Sequence, residues 1–219
     1  MRKPNAGVGL LEYFERRALG HYLDASRLFL YKASRNLLGW KGDHGAYLRT
    51  TMKAMALFGV PPSQVHPYDV EHFDEEPPAF CYAYAQNYKA LKYYRLDGAG
   101  KAPKDVLDDV KTHLAGNLPS MFGFTVYSSM PGVGTGSGDI PYPKQGEEKR
   151  GGHAIVAVGY DDSHKIGPDK GALLIRNSWG VRWGEDGYGW LPYKYVLTGL
   201  AVDFWSLVRA EYVDTELFK

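Results

Sequence analysis

The chain has 219 residues, of which 44% are hydrophobic and 14% aromatic, and its formal net charge is +1. This length is sufficient for one globular domain with a sizeable core, or for two small lobes that share an interface. Lys and Arg (26) nearly balance Asp and Glu (25) without forming a basic stripe. We therefore expect neither nucleic acid nor an anionic membrane as a partner.

The single cysteine, Cys81, excludes an intramolecular disulfide and favours a reducing compartment. The start of the chain, MRKPNAGVGLLEYFERR, has no uninterrupted apolar stretch of the kind found in a signal peptide. No segment approaches the roughly 18 apolar residues of a membrane-spanning helix. These features predict a soluble, cytoplasmic protein.

Helical spacing of apolar residues dominates the first half of the chain. Predicted helices lie at about residues 5–18, 24–37 and 47–58, and another begins at Pro103, which suits the first turn of a helix. Gly59 and the following prolines end the third helix. Residues 61–78 are rich in turn-forming and acidic residues, which predicts a surface loop.

Apolar, β-branched and aromatic runs predict strands in the second half. These strands are expected at residues 121–127, 154–160, 172–176 and 201–213. Helices followed by strands are typical of an α+β protein with separate helical and β layers. We therefore expect a helical lobe over residues 1–95 and a β-rich lobe over residues 96–219.

The segment PGVGTGSG, residues 131–138, has the glycine content of a phosphate-binding loop. It lacks the Gly-Lys-Ser/Thr ending, and no predicted helix follows it to offer an N-terminus to a phosphate. We interpret it as a flexible loop. The seven histidines show no HExxH or paired spacing, so we expect no metal site.

Two motifs carry candidate chemistry: GGHAIVAVGYDD, which contains His153, and LLIRNSWGVRWGEDGYGW, which contains Asn177. A histidine acting as a base needs its far ring nitrogen held, so that the correct tautomer faces the reaction. The side-chain oxygen of an asparagine can do this, and a neighbouring tryptophan can exclude water from the hydrogen bond. Gly152, just before the histidine, would let a substrate backbone come close to the imidazole.

These motifs resemble the GHAxxAVGY and NSWGxxWGxxGY blocks of the papain-like cysteine peptidases. The resemblance implies that His153 is the general base, that Asn177 orients it and that Trp179 shields the pair from water. It also implies an α+β fold in which a helical lobe and a β-barrel-like lobe flank an active-site cleft for a peptide or protein substrate. The family uses no cofactor, so none is expected.

The resemblance extends into the first half of the chain. The segment Gly42-Asp43-His44-Gly45 resembles the glycine-containing strand that pairs with substrate in this family, which implies that Gly42, Asp43 and Gly45 bind substrate. The segment SRLFLYKASR resembles the helix that follows the nucleophile helix, and AVDFWSLVRAEYV is similar to the closing strand of bacterial, disulfide-free members.

The nucleophile expected from the resemblance is missing. In the family a cysteine stands at the start of the first long helix, and counting back along NAGVGLLEYFERR places it near Arg2. The interval from position 2 to His153 is 151 residues (153 − 2), close to the family interval of about 130–150. The interval from Cys81 is only 72 residues (153 − 81). We therefore interpret Cys81 as a structural residue, since free cysteine usually behaves as a small buried hydrophobe.

Two explanations fit a papain-like chain without its thiol. Either the chain is a truncated form of a cysteine peptidase, inactive as given, or it is a pseudopeptidase that binds peptides or proteins. Truncation would expose apolar surface and predicts possible self-association. A third hypothesis, hydrolysis through Cys81, requires a different arrangement of the fold.

Overall fold

The computed structural model of the chain describes residues 5–20 and 23–212. These residues form two compact units. The first comprises the described residues up to Tyr94 together with the strand residues from Leu207 onward, and the second comprises residues 95–206. The two predicted lobes, 1–95 and 96–219, stay a prediction.

The first unit is mainly helical. Its elements are α1 (Asn5–Leu19), α2 (Arg27–Asn36), α3 (Leu48–Leu57), α4 (Ala79–Ala85) and nearly all of β1 (Tyr88–Arg95). The first three match predicted helices, whereas α4 and β1 were not predicted. At the start of α2, the Ser26 hydroxyl accepts a 3.2 Å hydrogen bond from the N–H of Phe29, which caps the helix.

Close packing joins the three longer helices of this unit, since α1 contacts both α2 and α3. A Cβ atom at Gly7 in α1 would lie 2.7 Å from the Cγ2 atom of Thr51 in α3, so the absence of a side chain permits this approach. Within α2 every residue from Leu28 to Arg35 is buried. Such burial of nearly a whole helix places α2 in the core of the unit.

The second unit combines a sheet with two helices. Its elements are α5 (Pro103–Ala115), β2 (Ser120–Tyr127), β3 (Lys149–Ile166), β4 (Asp169–Arg176), β5 (Tyr188–Pro192), α6 (Tyr193–Leu197) and the first half of β6 (Ala201–Tyr212). Pro103 stands in the first turn of α5, as predicted, and the helix packs against β3 and α6. All pairings from β6 through β2, β3 and β4 to β5 are antiparallel.

The α+β fold class is confirmed, but the sheet differs from the barrel-like form expected of the β-rich lobe. Its strands follow the order β1-β6-β2-β3-β4-β5, with β1 and β5 at the two ends. Over the described part of the chain the sheet is therefore open. None of the helices within residues 5–20 and 23–212 is both long and apolar enough to span a membrane.

The register of the central strands decides which side chains meet. His153 on β3 lies opposite Phe124 on β2. On its other side β3 pairs with β4, with Val156 opposite Arg176, the last residue of β4. Because the strands are antiparallel, the chain leaves β4 at Asn177 heading towards the His153 end of β3.

Candidate active site

His153 and Asn177 form a direct hydrogen bond. The Nε2 atom of His153 lies 2.9 Å from the Oδ1 atom of Asn177, although 24 residues separate them in sequence. The asparagine is buried, and its backbone N–H donates to the carbonyl oxygen of Gly187 at 2.9 Å. The strand register and this backbone bond together fix the asparagine beside the imidazole.

A second hydrogen bond determines the orientation of the Asn177 amide. Its Oδ1 atom also accepts the backbone N–H of Ser178 at 2.8 Å. Since a backbone N–H can only donate, the atom that receives it must be the amide oxygen and not the nitrogen. The oxygen then accepts from His153, so Nε2 carries the proton and Nδ1 is the basic nitrogen of the neutral ring.

Aromatic rings pack around the imidazole of His153. Trp179 lies with its ring centroid 5.2 Å from that of His153, at an interplanar angle of 31°. Phe124 of β2 contributes an edge-to-face contact at 5.9 Å. Trp183, which is fully buried, lies edge-to-face against Trp179 at 6.2 Å. The structure therefore places Trp179 next to the imidazole, and its predicted role as a shield against water stays a prediction.

The other amide atom of Asn177, Nδ2, is buried and has no hydrogen-bond partner within the described residues. A buried donor without an acceptor costs about 1–3 kcal/mol. The fold therefore holds this amide in place at some cost to stability, which is common at functional sites.

Gly152, the predicted substrate contact beside the histidine, is exposed on β3 opposite Thr125. The nearest atom to a Cβ built at this position is the carbonyl oxygen of Phe124, at 4.0 Å. The backbone next to His153 is therefore open to a ligand.

The predicted substrate strand, 42–45, is a loop in the structure, placed between α2 and α3 in the first unit. Gly42 and Gly45 both have left-handed backbone conformations, with φ of 79° and 77°. The N–H of Gly45 donates to the hydroxyl oxygen of Tyr31 at 3.1 Å, and that hydroxyl donates to the carboxylate of Asp43. The N–H of Gly42 donates to the carboxylate of Asp74 at 2.8 Å.

The backbone N–H groups of Gly42 and Gly45 are consequently not available to a substrate strand while these bonds persist. Burial together with the Asp43 hydrogen bond raises the pKa of Tyr31 to about 12, so its hydroxyl stays protonated as a donor. Sequence reasoning missed Tyr31 and Asp74, because nothing in the local pattern links them to the glycines.

Cys81, on α4 of the first unit, is 3% exposed. Its Sγ atom donates a weak hydrogen bond to the carbonyl oxygen of Val65 at 3.7 Å. Burial raises the pKa of the thiol, which is the opposite of what a thiolate nucleophile requires. These observations agree with the structural interpretation of Cys81.

The structure thus brings His153, Asn177, Trp179 and Gly152 together in the second unit. The glycine loop with Asp43 belongs to the first unit. The predicted nucleophile position near Arg2 lies outside the described residues. Within those residues, no group of His, Cys, Asp or Glu side chains is arranged to bind a metal ion.

A fold with this histidine–asparagine pair defines the class of papain-type cysteine proteases. The family model described as papain family cysteine protease matches residues 31–200 of the chain. The chain therefore belongs to the papain family.

Solved structures with the same fold include xylellain, a cysteine protease from Xylella fastidiosa. The two superpose with a TM-score of 0.78 and 35% sequence identity, over 95% of this chain and 78% of xylellain. Bromelain from Ananas comosus superposes with a TM-score of 0.65 over 94% of this chain and 87% of its own. At 17% identity the bromelain match supports the fold alone.

Curated relatives include an uncharacterized peptidase C1-like protein of Acanthamoeba polyphaga mimivirus, 37% identical over 186 residues. That match covers 83% of this chain but only 58% of the viral protein. Chymopapain of Carica papaya is 27% identical over 187 residues, which are 83% of this chain and 46% of chymopapain. The chain therefore spans about half the length of these two relatives.

Proposed function

We propose that this domain carries the base of a papain-type site for peptide-bond hydrolysis, with His153 as base, Asn177 as its orienting partner and Trp179 as the shield. The observation that carries the proposal is the 2.9 Å hydrogen bond from His153 Nε2 to Asn177 Oδ1. It leaves Nδ1 as the nitrogen that would exchange a proton with a thiol.

In this reaction the imidazole takes the proton of a cysteine thiol, and the resulting thiolate attacks the carbonyl carbon of a peptide bond. The imidazolium then gives its proton to the departing amine, and water hydrolyses the thioester that remains. Asn177 is needed throughout, because its oxygen keeps the ring oriented in both protonation states.

We further propose that the 219-residue polypeptide does not perform this hydrolysis by itself. Its one thiol, Cys81, is buried and has a raised pKa, and it donates to a backbone carbonyl in the first unit. A base without a nucleophile does little for amide hydrolysis, because the covalent step that it assists no longer exists. The position near Arg2 is where we propose that an active member has its cysteine.

The ligand that we propose is an extended peptide or protein segment. Gly152 supports this choice, since its backbone is exposed next to the base. The second candidate function is a peptide-binding module without catalysis. The same features favour it, because the His153–Asn177 pair and the exposed backbone of Gly152 need no thiol to bind a peptide.

The test uses a peptide epoxide that reacts with papain-type thiols, followed by intact mass and peptide mapping. We expect the unaltered chain to show no label that depends on His153. The variant Arg2→Cys should be labelled at position 2, and adding His153→Ala should slow that labelling roughly 100-fold. Cys81→Ser serves as the control and should change neither result.

Rapid labelling of Cys81 that requires His153 would overturn the proposed inactivity. An Arg2→Cys variant that stays unlabelled would overturn the proposed nucleophile position. To separate the binding module, an extended peptide is titrated into the unaltered chain while the amide signal of Gly152 is followed by NMR. Absence of saturable binding there would overturn the binding module.

A further inference from the structure

We propose that the glycine-rich loop, residues 131–138, is a positioning element for the hydrogen-bonded pair of His153 and Asn177. It fixes Trp183, which supports Trp179, and Trp179 covers His153. This inference rests on the proposed role of His153 as a base. The sequence predicted a flexible loop here, whereas the structure attaches both of its ends to the segment that follows Asn177.

The first attachment is at the start of the loop. The indole N–H of Trp183 donates to the carbonyl oxygen of Pro131 at 2.8 Å. Trp183 is fully buried, so this donor needs a partner inside the protein, and the loop supplies it. In the same half of the loop, the backbone N–H of Gly134 donates to the carbonyl oxygen of Arg182 at 3.0 Å.

The second attachment is at the end of the loop. The N–H of Trp190 donates to the carbonyl oxygen of Gly138 at 3.0 Å. A Cβ atom at Gly138 would lie 2.5 Å from the carbonyl oxygen of Tyr188 and 2.7 Å from the Cα atom of Gly189. Because backbone atoms surround this site, only glycine lets the loop approach so closely.

The close approach of Gly138 also leaves no room for a side chain at Gly189, on the opposite side of the contact. A Cβ atom at Gly189 would lie 2.2 Å from the carbonyl oxygen of Gly138 and 2.7 Å from a ring carbon of Trp183. The end of the loop, the start of β5 and the Trp183 ring are therefore packed against one another. A shift of the loop would remove the acceptor of the Trp183 indole and free space beside its ring.

The effect reaches the base through the two tryptophans. The Trp183 ring lies edge-to-face against Trp179 at 6.2 Å, and Trp179 lies 5.2 Å from the imidazole of His153. Trp179 is 39% exposed, so neighbours fix only part of its ring. When Trp183 moves, Trp179 loses an aromatic support and water gains access to the hydrogen bond between His153 and Asn177.

The decisive comparison is between Gly138→Ala and Gly132→Ala. Both glycines lie in the loop outside the left-handed region, but the nearest atom to a Cβ at Gly132 is a side-chain carbon of Thr135 at 3.6 Å, an ordinary contact. The measured quantity is the rate at which the Nε2–H of His153 exchanges with water, followed by NMR of histidine-labelled protein. The variant His153→Gln assigns the signal.

We expect Gly138→Ala to exchange this proton about 10-fold faster than the unaltered chain. Gly132→Ala should exchange it at the unaltered rate. A folded Gly138→Ala variant with an unchanged rate would overturn the inference. The measurement needs no thiol and no turnover, so an Arg2→Cys variant that stays unlabelled would overturn the proposed nucleophile position while leaving this comparison intact.

Two further measurements decide the matter if Gly138→Ala does not fold. Trp183→Phe removes the donor to Pro131 and should also accelerate exchange of the His153 proton, whereas an unchanged rate would contradict the inference. In the unaltered chain, the indole N–H of Trp183 should exchange far more slowly than that of Trp179. Equal and rapid exchange of both would show that the loop does not fix Trp183.

Discussion

Asp74 accepts the backbone N–H of Gly42 at 2.8 Å, across 32 residues of sequence. Its other carboxylate oxygen lies 3.0 Å from Nη1 of Arg35, whose side chain is completely buried. Arg35 in turn donates to the carbonyl oxygen of Gly42 and, at 2.8 Å, to that of Phe73. One ion pair therefore engages both backbone polar groups of Gly42 and sets the start of the glycine loop.

Asp74→Asn should destabilise the protein by about 2–3 kcal/mol, because it leaves the buried Arg35 without its anionic partner. The free energy of unfolding, measured in urea, checks this. Glu71→Gln, an exposed acid in the same surface loop, is the matched control and should change stability by less than about 0.5 kcal/mol. Equal effects of the two substitutions would contradict the stabilising role of the Asp74–Arg35 ion pair.

The hydrogen bond from Gly42 to Asp74 also predicts that the stability of the fold depends on pH. The hydrogen bond from the Gly42 N–H is the main reason that the pKa of Asp74 lies below its ordinary value of 3.8. A lowered pKa in the folded state stabilises the fold above the ordinary pKa, and this stabilisation is lost as the pH falls through the lowered value. The stability difference between the unaltered chain and Asp74→Asn should therefore shrink below about pH 4. A difference that is constant down to pH 2 would argue against this assignment.

How far the sequence predicts this fold depends on whether a segment has a clear period. Helices α1, α3 and α5 follow from apolar residues at helical spacing, with Gly59 just after the end of α3 and Pro103 at the start of α5. The segment AFCYAYAQNYKALKYYR, which forms α4 and β1, was missed because its six aromatic residues follow no single period and no strong turn signal separates helix from strand. Tyr88 and Ala90 are both buried and lie two residues apart, and this alternation is the signal that could have revealed β1.

The candidate site was predictable where its chemistry lies in a local motif. His153, Asn177 and Trp179 stand in two short blocks, and the structure brings them together. The support around them depends on contacts between distant segments, such as Pro131 with Trp183, and no local pattern encodes such a contact. For the same reason the loop from 131 to 138 was interpreted as flexible: its glycines fit close backbone packing as well as they fit mobility.

Asn177→Ala should release the imidazole of His153 from a single tautomer. The bond from Nε2–H is worth about 1 kcal/mol, so its loss should reduce the preference for this tautomer about fivefold. Nitrogen-15 chemical shifts of labelled histidine, recorded above pH 8, measure the two tautomers directly. Ser178→Ala is the control, since Ser178 bonds Asn177 through its backbone. If the tautomer ratio is the same in all three proteins, Asn177 does not orient the ring.

Glu15→Gln should remove a pH dependence of stability that arises in α1. Both carboxylate oxygens of Glu15 are buried without a hydrogen-bond partner in the part of the chain that the structure describes. Burial, with a smaller effect of Glu12, raises its pKa from 4.5 to about 9. Between these values the unfolded chain releases the proton and the folded chain keeps it, so stability falls as the pH rises, by about 1.4 kcal/mol per pH unit.

This slope should be absent in Glu15→Gln, which keeps the shape of the protonated acid. Unfolding in urea at pH 5, 7 and 9 gives the slope for each protein. Glu71→Gln, at an exposed position, should retain the slope of the unaltered chain. Parallel curves for Glu15→Gln and the unaltered chain would show that Glu15 is ionised in the folded protein.

Gly59→Ala should destabilise the first unit far more than a positive φ alone explains. Gly59 ends α3 with φ of 77°, and a Cβ atom there would lie 1.9 Å from the carbonyl oxygen of Ala85. Gly39 has a similar φ of 67°, but no atom lies within 4 Å of its Cβ position. Gly39→Ala thus measures the conformational cost of a positive φ, about 1 kcal/mol of the free energy of unfolding. Gly59→Ala adds a backbone clash, so its loss of unfolding free energy should exceed about 3 kcal/mol. Thermal and urea unfolding of the two variants side by side separates these contributions, and similar losses would mean that α4 can move away from Gly59 at little cost.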